Sequence, residues 1–162
     1  MLFNSNISWW DENSRRPAPH EGIDLRAYRN ISGETISLGP DTKIPVFFTG
    51  KVVKITDDFL GRTIFVKHAD VYKRKDLALY TIYGHTRPLS VIEEGVSLAE
   101  GEVIAHIAAT RGSKQKVSPH LHVTAALMPD NIPSHSLNWS TVNHHNQTIS
   151  LLDPLTLINN SL

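Results

Sequence analysis

Between Lys43 and Ala108 apolar and polar positions alternate in short runs, separated by turns that carry glycine or charge. Successive side chains of an extended strand point to opposite faces, so this pattern predicts strands rather than helices. The stretches "KIPVFFTGKVVKIT" and "RTIFVKHA" are rich in β-branched and aromatic residues, are bounded by Gly50, Asp57-Asp58 and Gly61, and read as consecutive strands. "LALYTIYGHT" follows a charged turn, and "VIEEGVSLAEGEVIAHIA" alternates around Gly95 and Gly101. Short strands with tight turns at this spacing predict a mainly β fold, a single domain built on antiparallel sheet. Helical periodicity is weak throughout. The stretch "MPDNIPSHSLNWSTVNHHNQTIS" is polar and broken by two prolines, which predicts a long surface loop. The closing "LLDPLTLI" is apolar enough to dock on the body of the domain.

A chain of 162 residues has room for one core and modest extensions, which agrees with one domain. Sixteen basic and sixteen acidic residues cancel, so composition supplies no electrostatic footprint for nucleic acid or an anionic membrane. The cluster Lys73-Arg74-Lys75 reads as a solvated turn between apolar segments. The absence of cysteine excludes disulfides and thiolate-bound zinc. No apolar run is long enough to span a bilayer. The first residues, "MLFNSNISWWDENSRRP", lack the basic-then-apolar order of a secretion signal, so the expectation is a protein that stays inside or a mature fragment.

Candidate chemistry gathers in three stretches. In "SPHLHV" the side chains of His120 and His122 lie two positions apart, and on a strand both face one surface, where two imidazoles can share a metal or divide labour beside one. In "APHEGIDLRAY" the spacing of His20 and Asp24 would place both on one face of a helix, but Pro17, Pro19 and Gly22 disfavour a helix there. Ile23 and Leu25 flank Asp24 in strand-like alternation, so a turn presenting His20 and a strand carrying Asp24 is expected. Glu21 gives a superficial likeness to the zinc motif HExxH, which fails because position 24 is aspartate and the helix is lacking. Neutral imidazole and carboxylate suit zinc, and a catalytic zinc keeps three protein ligands and an open position. His20, Asp24 and one histidine of the HLH pair supply such a set, with the other histidine left to move protons. In "LYTIYGHT" His85 follows a strand and is expected to reach the same cleft.

In this order "HEGIDL", "YGHT", "SPHLHV" and "DPLTLI" resemble the LytM/lysostaphin-type zinc metallopeptidases, a family of peptidoglycan-cleaving endopeptidases. The likeness extends to "IPVFFTGKVVKI" and "VIEEGVSLAEGEVIAHI", and covers the chain from about Pro17 to Ile158. The resemblance implies one zinc per chain held by His20, Asp24 and His122, with His85 and His120 as the catalytic pair. It implies long loops around a zinc cleft, an amino-terminal extension over residues 1–16 and a LytM-like domain over 17–162. It also implies a zinc metalloendopeptidase that hydrolyses cross-link or stem peptides of peptidoglycan, placed in the periplasm or outside the cell. Where the family has a loop of small residues before the HLH stretch, this chain has "TRGSKQKVSP" with Arg111, Lys114 and Lys116, a departure that bears on peptide preference.

Zinc lowers the pKa of bound water from about 16 toward about 7 and polarises a carbonyl, while histidines in reach take the proton and protonate the leaving amine. Tyr28, Tyr72 and Tyr83 are candidates for supporting the oxyanion. His68, His106 and His135 are expected to be hydrogen-bonded structural residues, and His144-His145 have no carboxylate close in sequence. Trp9-Trp10 reads as an apolar anchor of the amino-terminal segment, with a sugar-stacking platform as the other reading. Two further classes fit parts of the pattern. One is a noncatalytic LytM-type module that binds the wall or regulates another hydrolase, and the other is a zinc-stabilised binding domain, against which three ligands rather than four argue.

Overall fold

The computed structural model describes residues 1–9, 15–72, 76–110 and 117–159. The readings of Trp10, of the Lys73–Lys75 turn and of the Arg111–Lys116 loop fall outside these residues. Eleven strands form in chain order among the described residues: β1 (Ile23–Leu25), β2 (Ala27–Arg29), β3 (Thr35–Ser37), β4 (Lys43–Pro45), β5 (Gly50–Asp57), β6 (Arg62–His68), β7 (Leu77–Pro88), β8 (Ser97–Leu98), β9 (Val103–Ile107), β10 (Leu121–Pro129) and β11 (Ser150–Leu152). Every pairing recorded between them is antiparallel. The main sheet has nine strands and runs β1-β10-β7-β6-β5-β8, with β11 on β10 and β4 joined through β9 to β7. Strands β2 and β3 form a separate hairpin. The fold is therefore mainly β, one domain on an antiparallel sheet. No helix among the described residues is long and apolar enough to cross a membrane.

The central strands are buried on both faces, which explains why β6, β7 and β10 read as nearly continuous apolar runs. Ile64, Val66, Tyr83 and Val123 point into one cluster with Ile23, Ile44 and Ile104. Their neighbours Phe65, Tyr80, Ile82, Ala126 and Met128 point into a second, on the opposite face. That second face is closed by the polar stretch expected to be a surface loop. Leu137 and Val142 are buried in the second cluster, and only one short 3-10 turn, Ser134–Ser136, interrupts the irregular backbone. The carboxyl-terminal stretch docks as expected, through β11 on β10 and a short helix α1 (Pro154–Asn159). The reading of "KIPVFFTGKVVKIT" as one strand needs correction, because it divides into β4 and β5 with a break across residues 46–49.

Two local features place the functional side chains. Gly22 packs so closely on β10 that an added Cβ would lie 2.1 Å from the Val123 carbonyl oxygen, so only glycine lets β1 approach. Between β6 and β7 the register shifts at Arg62/Ile64, with Arg62 opposite Thr86 and Ile64 opposite Tyr83. Two residues, Gly84 and His85, thus face Thr63 alone, a β-bulge that re-aims the strand's side chains. His85 takes a left-handed backbone with φ of 59°, uncommon for a residue with a side chain.

Candidate active site

The site grows from one transverse row of the sheet. Asp24 of β1 pairs with His122 of β10, and His122 pairs in turn with Gly84 of β7. Opposed residues bring their Cβ atoms within about 5.5 Å, so the carboxylate and imidazole meet by register alone. His122 Nδ1 lies 2.9 Å from Asp24 Oδ1. The turn ahead of β1 brings His20 in from the side, its Nε2 3.2 Å from Asp24 Oδ1 and 3.1 Å from His122 Nδ1. These three donor atoms lie within 4.8 Å of one another, and all three residues are buried. The Asp24 strand and the turn presenting His20 follow the sequence expectation.

The outer nitrogens of the two imidazoles are already engaged. His20 Nδ1 lies 3.2 Å from the Leu2 carbonyl and donates to it, and His122 Nε2 lies 2.9 Å from Thr124 Oγ1. With these nitrogens protonated, His20 Nε2 and His122 Nδ1 turn unprotonated lone pairs toward a carboxylate oxygen. Three electron-pair donors facing each other at hydrogen-bond distance repel unless a cation lies among them. The donor set is two imidazoles and a carboxylate, each imidazole held by an outer partner, and it fits zinc.

Burial alone would raise the Asp24 carboxyl; when the facing nitrogens of His122 and His20 carry protons, as they can without a cation between them, their hydrogen bonds outweigh burial and hold the group well below the usual carboxylate range. Burial pushes His122 and His120 down from the ordinary imidazole value, which favours their neutral forms. The second Asp24 oxygen, Oδ2, accepts a hydrogen bond of 2.9 Å from the Trp9 indole N–H. The Trp9 ring also stands edge-on to His120, with centroids 5.3 Å apart. Residues 1–5 run beside 20–24: Asn4 N–H donates to the His20 carbonyl, His20 N–H to Ser5 and Asp24 N–H to Met1. Trp9 thus backs the site through Asp24 and His120 as well as anchoring the amino-terminal segment.

His85 and His120 face each other across the cleft, with ring centroids 4.8 Å apart. His120 Nδ1 donates to the Ser118 carbonyl at 2.9 Å, while its Nε2 lies 3.9 Å from Asp24 Oδ1. His85 Nδ1 lies 3.2 Å from Asp58 Oδ1. All five residues singled out in the sequence, His20, Asp24, His85, His120 and His122, line one cleft of about 320 Å³. Arg16, Glu21, Phe59, Val117 and Trp139 complete its lining. Trp139 stands edge-on to His122 with centroids 5.1 Å apart, and exposed Phe59 stands 4.7 Å from the His85 ring at the mouth.

Several sequence readings are altered by these positions. None of the three tyrosines lines the cleft: Tyr83 is fully buried and accepts from the Phe47 N–H, and Tyr28 and Tyr72 are exposed. His68 is a structural histidine as expected, between the Thr49 carbonyl and Thr81 Oγ1. His106 and His135 also lie away from the cleft, but His106 Nδ1 is buried without a hydrogen-bond partner among the described residues and His135 is exposed. Asp58, Phe59 and Trp139 escaped sequence reasoning as site residues, and Trp9 reads in the sequence as an anchor or a sugar platform, not as a partner of Asp24. Asp58 carried only a turn signal and Trp139 sat in a polar stretch, so nothing local tied either to the histidines.

An antiparallel β domain with a His/Asp/His donor set and two more histidines in one cleft has the architecture of the LytM-type peptidases. Residues 18–134 match the model of peptidase family M23, and the chain belongs to that family. Among solved structures it is similar to LytU, with a TM-score of 0.58 and 19% identity over 99% of this chain and 83% of that one. It is similar also to lysostaphin in solution, with a TM-score of 0.51 and 18% identity over 86% of this chain and 50% of that one. At these identities the two structures speak for the fold. The chain has no match among curated proteins.

Proposed function

We propose that this protein is a zinc-dependent endopeptidase that hydrolyses peptide bonds of bacterial peptidoglycan, acting in the periplasm or outside the cell. The observation that carries this reading is the meeting of five buried groups in one cleft: three converging metal donors, and two histidines that hold no place in the donor set. Membership of a peptidase family supports the same chemistry. His20 Nε2, His122 Nδ1 and Asp24 would hold one zinc, which when bound supplies a Lewis acid and brings the acidity of water into the neutral range. His85 and His120 each commit Nδ1 to an acceptor, Asp58 or Ser118, and keep Nε2 for the cleft. One takes the proton of the attacking water, and the other donates to the oxyanion or to the departing amine. The domain division belongs to this reading: 17–162 is the catalytic unit, and 1–16 is an extension whose first residues hold His20 and Asp24 from outside.

Alanine at His20, Asp24 or His122 should empty the site, since each removes one of three donors. His85→Ala and His120→Ala should keep zinc and lose hydrolysis by roughly two to four orders of magnitude, the usual worth of a general acid or base. Zinc content and the amino termini released from purified peptidoglycan measure the two effects separately. A zinc-loaded wild type that binds the wall and releases no amine would replace this reading with a noncatalytic module.

A further inference from the structure

Asp58 lies in the turn between β5 and β6 with its side chain 1% exposed, and its carboxylate is saturated with donors. Oδ1 accepts from the Leu60 and Gly61 N–H groups, each at 2.8 Å. Oδ2 accepts from Thr63 Oγ1 and from the His85 backbone N–H, also at 2.8 Å. The fifth partner is His85 Nδ1, 3.2 Å from Oδ1. One buried carboxylate therefore grips both the backbone and the ring of a residue in the left-handed region, opposite Thr63 in the bulge. Thr63 in turn accepts a hydrogen bond of 3.1 Å from the Trp139 indole N–H, which links the network to the ring that stands on His122.

An ionised carboxylate has only acceptor capacity, so the Nδ1 that faces it must carry a proton. In neutral imidazole the other nitrogen, Nε2, then holds the lone pair. We infer that Asp58 is the positioning residue of His85: it holds the strained backbone through the amide and fixes the Nδ1–H tautomer, so that Nε2 faces the cleft as a proton acceptor. This deepens the endopeptidase reading and rests on it for the word acceptor, though the tautomer does not. Asparagine at this position would fail in a defined way. Its amide can replace one oxygen, but wherever its nitrogen lies at least one donor that now binds Asp58 meets a second donor.

The test uses the full chain loaded with zinc. Nitrogen-15 spectra of the histidine rings in the wild type should show His85 protonated at Nδ1, and the same spectra of Asp58→Ala should show that preference lost. Asp58→Asn should keep its zinc, with KM little changed and kcat reduced by about ten- to a hundred-fold, the usual cost of removing an orienting partner. The neighbouring, exposed Asp57→Asn should behave as wild type. An Nε2–H tautomer of His85 in the wild type would overturn the inference, as would wild-type kcat in Asp58→Asn or a fall in kcat matched by loss of zinc. The ring spectra of the wild type decide the matter even if the variants fail to fold. A wild type without hydrolysis would sink the endopeptidase reading while leaving the tautomer to be read.

Discussion

The Trp9 indole is the clearest case of a single residue whose effect reaches the site through another. Its N–H holds Asp24 Oδ2, the oxygen that does not face His20 and His122. An orienting hydrogen bond of this kind fixes a ligand's rotamer and removes the entropy cost of ordering it on metal binding. Phenylalanine keeps the aromatic edge against His120 but not the donor. We therefore expect Trp9→Phe to fold normally and to bind zinc about ten- to a hundred-fold more weakly, as read by titration against a competing chelator. Equal affinity in the two proteins would mean that packing against β10 already holds Asp24. The same logic applies to His20 and His122, whose outer nitrogens are held by the Leu2 carbonyl and the Thr124 hydroxyl.

Among the elements, β1 is placed by the site's least tolerant contact, at Gly22 immediately before it. An alanine Cβ at position 22 would stand 2.1 Å from the Val123 carbonyl oxygen and 2.7 Å from Thr124 Oγ1, and the first of these is backbone that cannot rotate away. Gly22→Ala should push β1 off β10, destabilising the fold by about 1–3 kcal/mol or more as overpacking does, and separating Asp24 from His122. Denaturant unfolding and zinc content should fall together; retained zinc in a destabilised protein would mean that β1 shifts without moving the ligand. Strand β6 supplies a pH dependence that is independent of the metal. Burial lowers the His68 pKa, so the unfolded chain binds more protons than the native one once pH falls to the ordinary imidazole range. The resulting stability is present above about pH 6.5 and is lost as pH falls toward the depressed native value, at up to about 1.4 kcal/mol per pH unit. Urea unfolding of chelator-treated wild type and His68→Gln should show a shallower decline in the variant, and parallel declines would assign the effect elsewhere.

For the molecule as a whole, the three donors come from two places far apart in sequence, the turn and strand of residues 20–24 and the strand bearing His122. A ligand that binds only the folded arrangement stabilises it by mass action, by about 2.7 kcal/mol at a free concentration one hundred times Kd. Chelation should accordingly lower the unfolding temperature and raise hydrogen exchange first in β1, the edge strand that the metal would tie to β10; an unchanged melting temperature would speak against a site that spans both strands. The sequence by itself determined the β class, through alternation that only a sheet can use, and it singled out His20, Asp24, His85, His120 and His122 by type and order, five residues that the fold then brings to one cleft. It placed Asp24 on a strand because prolines and a glycine forbid the helix that the spacing would otherwise suit. Tertiary structure alone decided that Asp58 grips His85, that Trp9 holds Asp24, and that the polar stretch after β10 closes a second core and sends Trp139 into the cleft. Those contacts depend on register, on one bulge and on the path of irregular backbone, all set by which surfaces pack together rather than by any local pattern.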